Sequence, residues 1–209
     1  MIIRIAQIKV TPNSRQLQAN HDRLVAILDE VAPHQPDVVI TPEGYLDDYV
    51  GKDPAVTRES IADYAIDPTT SAYTREISAW AAAHNAWFVL GCARAAPEGV
   101  YDSTVIFNRD GRIAGIYDKI HIQTHDVKYA PGRSLPVFDS GFGPFGVMIC
   151  ADRRWPERPP TGPATRSVPG LDALAGGGAG TEAAARRRPQ RMVDYSRNRR
   201  QVHQHSVQA

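Results

Sequence analysis

The stretch Gly146-Val147-Met148-Ile149-Cys150-Ala151-Asp152-Arg153-Arg154-Trp155-Pro156-Glu157 decides how the rest of the chain is read. A short apolar run stops at a cysteine and turns polar, and Trp155-Pro156-Glu157 suits the first turn of a helix, where proline is pre-organised. Cys150 is expected at a strand-to-helix corner. There a side chain can face a cleft, while backbone N–H groups and the positive helix end lower a thiol pKa and can hold an oxyanion. Taken alone, the stretch also fits a small buried cysteine closing a core strand.

Working outward, two more polar residues follow predicted strands. Asp37-Val38-Val39-Ile40-Thr41 is a short apolar run of the buried-strand kind, and it leads directly into Thr41-Pro42-Glu43-Gly44-Tyr45. Tyr101 to Asn108 and Arg112 to Tyr117 read as strands around the turn Arg109-Asp110-Gly111-Arg112, and the second delivers Tyr117-Asp118-Lys119-Ile120-His121. Each has an ordinary alternative: Glu43 as a solvated loop acid, Lys119 as a soluble sheet edge, His121 as a hydrogen-bonded structural histidine. Together, a cysteine, a carboxylate and a lysine could run acyl transfer. The carboxylate takes the thiol proton and returns it to the leaving amine, while the lysine and an N–H near Cys150 hold the oxyanion.

The remaining pattern is mixed α/β. Ile2 to Val10 reads as a strand ended by Thr11-Pro12-Asn13-Ser14, with a plausible cap there for a helix that Leu17, Leu24, Ile27, Leu28 and Val31 give an apolar face. Residues 46–68 read as a loop or short helix. Thr69 to Asn85 reads as a helix capped by Thr69 or Thr70, and Trp87 to Ala93 as a strand in which Cys92 is core. Leu135 to Phe138 reads as a short strand, and Gly141 to Gly146 as a glycine-rich hairpin leading into a Cys150 strand.

Composition narrows the class little: 42% hydrophobic, 22% charged and a net charge of +1 are ordinary for a globular chain. Two cysteines in 209 residues argue against a disulfide framework and fit a reducing cytoplasm. The sequence shows no leader-like h-region and no stretch approaching the ~20 apolar residues of a membrane span.

The three motifs, in this order, resemble the nitrilase or carbon-nitrogen hydrolase superfamily, over residues 1–157. The matching segments are Thr41-Pro42-Glu43, Asp118-Lys119-Ile120-His121 and Ile149-Cys150-Ala151-Asp152-Arg153-Arg154-Trp155-Pro156-Glu157. The resemblance implies a four-layer α-β-β-α sandwich, a homo-oligomer, no metal or organic cofactor, and hydrolysis of a non-peptide amide, carbamoyl or nitrile bond in a small molecule. It implies a Glu43-Lys119-Cys150 triad, a thioester on Cys150, and an oxyanion held by Lys119 and the Ala151 N–H.

The wording after Cys150 is close to that of N-carbamoyl-amino-acid amidohydrolases. There Arg154, or else Arg153, could grip a substrate carboxylate through two parallel hydrogen bonds. Arg154 could equally pair with Glu157 on a helix surface, and an aliphatic amidase or a nitrilase fits the same motifs. Many members carry a second glutamate before the Tyr-x-Pro-Gly turn. Here, in Thr124-His125-Asp126-Val127-Lys128-Tyr129, His125 aligns with that glutamate and Asp126 is its nearest acidic substitute: either the subgroup dispenses with the glutamate or Asp126 takes over.

After Glu157 the character changes. Residues 158–209 contain no lysine, isoleucine, phenylalanine or tryptophan, and carry 9 basic against 3 acidic residues, including Arg186-Arg187-Arg188. This composition leads to the expectation of a largely disordered tail, with a short helix around Glu182 to Arg188. The second half of the sandwich would belong here, so the domain reads as truncated after the cysteine strand, with the tail translated out of frame. Resequencing codons 150 to 165 and translating the other frames tests that. A basic nucleic-acid-binding tail is the alternative, weakened by the presence of only one aromatic, Tyr195. An inactive fragment or an interaction protein is the rival to the enzyme.

Overall fold

A computed structural model describes residues 2–154 and, as backbone, residues 191–196 and 203–206. Its centre is a βαβαβ run. Strand β1 (Arg4–Lys9) leads through helix α1 (Leu17–Val31) to β2 (Val38–Ile40), and helix α2 (Ala72–Ala83) leads to β3 (Trp87–Ala96). The three strands are parallel, in register Ile5↔Val38 and Val38↔Trp87. β4 (Gly99–Phe107) and β5 (Ile113–Asp118) then return as antiparallel neighbours, giving the order β5-β4-β3-β2-β1.

Both faces of the sheet are buried along β1 to β4, which explains strands that read as continuous apolar runs. Alternate residues sort cleanly between two cores. Ala6, Ile8, Val39, Phe88, Leu90, Val105 and Phe107 meet Leu24, Leu28 and Val31 of α1 and Ile77 and Ala81 of α2. Ile5, Val38, Ile40, Trp87, Val89 and Ile106 meet the segment from Phe138 to Ile149 on the other face. The described residues thus supply one helical layer and one principal sheet.

Several boundaries differ from the sequence reading. Ser14 caps nothing: α1 begins at Leu17 with no side-chain cap, and the buried Asn20 instead ties the preceding turn to the Glu43 loop through Asn13 and the Leu46 carbonyl. Ser71, rather than Thr69 or Thr70, caps α2, its hydroxyl accepting from the Tyr73 N–H at 3.2 Å, because Asp67 already binds the Thr69 N–H and hydroxyl. The Leu135–Phe138 strand shrinks to β6 (Phe138–Asp139), paired in a two-residue ladder with β7 (Pro144–Phe145).

The predicted strand before Cys150 is not a strand. Val147 and Ile149 are buried, but the Ile149 N–H donates to the Asp152 carboxylate at 3.0 Å instead of to a neighbouring strand. A 3-10 turn already runs from Cys150 to Arg154. The helix start expected at Trp155 to Glu157 lies outside the described residues, as do the Arg154–Glu157 pairing and the short helix at Glu182 to Arg188. No strand was read in residues 158–209. The backbone there nonetheless forms β8 (Arg191–Ser196), parallel to β1 from Arg4↔Arg191 to Lys9↔Ser196, and β9 (His203–Ser206), antiparallel to β8.

Candidate active site

The topology brings three polar residues to one edge of the sheet. β2 and β5 run the same way, so their carboxyl ends, which lead to Glu43 and Lys119, point to the same side, and antiparallel β4 starts there with Asp102 near its beginning. The crevice beyond strand carboxyl ends is where open α/β sheets usually bind ligands.

Glu43 is held by β3. The Thr41 N–H donates to the Val89 carbonyl at 3.0 Å, and the Thr41 hydroxyl accepts from the Gly91 N–H at 2.8 Å. Gly91 has to be glycine, since a Cβ there would lie 2.2 Å from the Pro42 carbonyl oxygen. Asp47 fixes the continuation of the loop, accepting from the N–H groups of Val50 at 3.0 Å and Ala93 at 2.7 Å.

Lys119 is held as firmly. Its N–H donates to the Asp102 carbonyl and its carbonyl accepts from the Gly132 N–H, where a Cβ would lie 2.1 Å from the Asp118 carbonyl oxygen. Just before it, Asp118 takes a bidentate pair from Arg94 at 2.9 and 2.8 Å and a hydrogen bond from the Ser103 hydroxyl at 2.6 Å.

Lys119 is fully buried, so its charge requires partners. It has three. Its Nζ lies 2.7 Å from Glu43 Oε1, 2.7 Å from Asp126 Oδ2 and 3.2 Å from Asp102 Oδ2, with the Tyr49 hydroxyl at 3.4 Å. Burial pushes the ammonium toward neutrality, but Asp102 and Glu43 more than reverse it, and the net shift is upward. Burial pushes the Asp126 carboxyl up to about 6, opposed by the Gln123 N–H. Burial also drives Asp102 well up, and its closeness to Glu43 adds to this against the pull of Lys119.

Cys150 is half-buried, and its thiol faces Glu43. Burial raises its pKa first, the Glu43 carboxylate raises it further, and Lys119 and Arg153 oppose. Burial and the Glu43 carboxylate thus both favour the protonated thiol. The 3-10 turn that carries it is pinned by buried Asp152, which accepts from the Tyr117 hydroxyl at 2.6 Å, the His121 N–H at 3.0 Å and the Ile149 N–H at 3.0 Å, and bonds His121 Nδ1 at 2.8 Å. Cys150 itself sits at φ 44°, the left-handed region rarely visited by residues with a Cβ.

Of the residues singled out in the sequence, Glu43, Lys119, Cys150 and Asp126 converge; Ala151 is buried next to Cys150. Arg153 and Arg154 are exposed on the same turn, with Arg153 near enough for its charge to act on the thiol. His125 stacks edge-on against Tyr49 and lies 3.4 Å from Asp126. Cys92 is core, 1% exposed. Asp102, Tyr49 and the Asp152 anchor were not picked out. Only Asp152 carried a signal, an acid two residues after the cysteine.

No helix among the described residues is long and apolar enough to cross a membrane.

Comparison with known proteins gives consistent results. Residues 3–159 match the family model described as carbon-nitrogen hydrolase. The omega-amidase NIT3 of Saccharomyces cerevisiae is 25% identical over 173 residues, 74% of this chain and 57% of that protein. The crystal structure of Nit3 from the same yeast, a member of branch 10 of the nitrilase superfamily, superposes with a TM-score of 0.63 at 24% identity, covering 73% of this chain and 57% of that one. An amidase mutant from Nesterenkonia sp., described as showing covalent addition of the acetamide moiety of fluoroacetamide at the active site cysteine, superposes with a TM-score of 0.59 at 18% identity, covering 73% and 57%. The mixed α/β fold is that of nitrilase-superfamily structures, and the chain spans little more than half the length of these proteins.

Proposed function

The chain belongs to the carbon-nitrogen hydrolase family, and from that premise we propose that it hydrolyses a non-peptide C–N bond of a small amide or N-carbamoyl compound through Cys150. The observation that carries this reading is the buried Lys119 ammonium 2.7 Å from Glu43, with the Cys150 thiol facing the same carboxylate. The amidase relative whose cysteine takes up an acetamide moiety supports the choice of nucleophile.

Glu43 takes the thiol proton as sulfur attacks the carbonyl carbon. The carbonyl π electrons move to oxygen, and that oxyanion is met by Lys119 and by the Ala151 N–H, placed early in a 3-10 turn where N–H groups lack internal acceptors. Collapse breaks the C–N bond, and the leaving nitrogen departs with the proton held by Glu43. A thioester remains. Glu43 then takes a proton from water, hydroxide adds to the thioester carbon, and the C–S bond breaks with return of the proton to sulfur. For a primary amide the balance is one water consumed, one carboxylic acid and one ammonia formed. Asp126 holds Lys119 at 2.7 Å, as Glu43 does, in the role of the second glutamate of many relatives. Arg154, with Arg153 as its alternate, receives the substrate carboxylate where there is one.

The test is ammonia release from a panel of primary amides and N-carbamoyl amino acids. The expected result is turnover that Cys150→Ala abolishes while the thermal transition survives. The same panel turned over equally by Cys150→Ala would reject the nucleophile. No turnover by the unaltered chain would leave the rival reading of an inactive fragment or an interaction protein.

A further inference from the structure

One lysine among two buried carboxyls and a half-buried third sets a charge problem. With Glu43, Asp102, Asp126 and Lys119 all ionised, the cluster would hold three negative charges against one positive, in a site where Lys119, Asp126 and Asp102 are at most 1% exposed. Uncompensated buried charge costs several kcal/mol, so such a cluster takes up protons instead. Asp102 is the group placed to do so. Its Oδ2 reaches Lys119 only at 3.2 Å, against 2.7 Å for each rival, and that atom has no hydrogen-bond partner among the described residues. Glu43 is its neighbour on the same ammonium, 2.7 Å from the Nζ that Asp102 meets at 3.2 Å.

We propose that Asp102 is a neutral carboxylic acid in the resting site and acts as a positioning residue, donating its proton's hydrogen bond to Glu43 so that Glu43 is the anion left facing Cys150. This deepens the hydrolase reading and rests on it for the kinetic consequence. Held this way, the Glu43 carboxylate is fixed between an ammonium and an acid, and the oxygen turned to the thiol takes its proton. When Asp102 ionises, a third carboxylate competes for Lys119 and pulls it from Glu43. The thiolate that forms once Glu43 has taken the proton is then opposed by the Asp102 charge as well as that of Asp126, and turnover falls.

The groups facing Asp102 are Lys119 after β5, at 3.2 Å, Glu43 from the loop after β2, and Cys92, Tyr117 and Tyr129, whose own protons its charge helps to hold; Asp126 and Tyr49 meet it only through Lys119. Lys119, Cys92 and Cys150 are shifted upward as well. A rate profile alone therefore does not identify it, and a variant has to.

The experiment has two arms. The first is independent of activity: infrared difference spectra of the full chain across a pH titration, comparing the unaltered protein with Asp102→Asn. A protonated-carboxyl C=O stretch, present at neutral pH and missing in Asp102→Asn, is expected. Its presence undiminished in the variant, or its absence from both, overturns the proposal. The second arm follows turnover against pH. Asp102→Ala is expected to lower kcat by roughly tenfold or more with KM little moved, and Asp102→Asn, which keeps a donor in place, to recover most of that loss and carry the rate to higher pH. If Asp102→Asn is folded by its thermal transition yet as poor as Asp102→Ala, the role as a hydrogen-bond donor is wrong. If the unaltered chain turns nothing over, the hydrolase reading fails, while the infrared arm still decides the protonation state.

Discussion

Asp47 shows how strongly single residues are set by this loop system. It is fully buried and accepts from two backbone N–H groups, and burial, outweighing them, pushes its pKa up to about 7. A carboxyl whose folded pKa lies above its unfolded value near 4 binds more protons in the folded state, so stability falls as pH rises between those limits. The slope reaches about 1.4 kcal/mol per pH unit. Asp47→Asn is expected to start lower, by about 1–3 kcal/mol, because its amide group faces one of the two N–H donors. It should also lose this contribution to the slope between about pH 4 and 7. Denaturant melts of both proteins at four pH values check it, and parallel slopes would refute the assignment.

Arg154 is a residue of the opposite kind, exposed at the end of the Cys150 turn. If it grips a substrate carboxylate through two hydrogen bonds, Arg154→Ala raises KM for carboxylate-bearing substrates roughly tenfold to a hundredfold, about 1.5–3 kcal/mol. Neutral amides should be unaffected. Equal losses on both substrate types would show that the arginine acts elsewhere.

At the scale of elements, the turn carrying Cys150 combines strain with anchoring. Its positive φ costs roughly 1 kcal/mol for a residue with a Cβ, and the four bonds to Asp152 keep it there. Cys150→Gly should therefore be more stable than Cys150→Ala by about 1 kcal/mol, though both lack the sulfur. Paired thermal melts read this directly, and an alanine variant as stable as the glycine one would mean the turn is not strained.

The same element shows what a sequence can and cannot disclose. Glu43 and Lys119 were legible because each follows a run whose period and bounding turns mark a strand, and a polar residue at such an end stands out. Val147 to Ile149 looked identical, but its burial comes from packing under the sheet and its N–H goes to Asp152, and no apolar count separates that from a ladder. Asp102 was hidden for a different reason. It sits in an ordinary polar run, Tyr101-Asp102-Ser103-Thr104, and only the pairing of β4 with β3 and β5 brings it to Lys119.

At the scale of the whole molecule, the governing fact is that β1 is an inner strand on both sides. It is paired to β2 on one edge and along all six residues to β8 on the other. Its central residues, Ile5 to Ile8, are buried, so removing the neighbour would bare a flat apolar edge with unpaired N–H and C=O groups, the commonest template for unwanted strand addition. A chain ending at Gln190 lacks β8 and β9 altogether. It should self-associate with rising concentration, seen as species larger than those of the 209-residue chain in sedimentation velocity, and its thermal transition should drop. The loss should also reach the active site, because β1 buttresses β2 and β2 carries Glu43. Ammonia release should then fall with stability even though no residue of the triad has been touched. A shortened chain that keeps the size, melting point and turnover of the full one would show that β1 does not depend on that neighbour.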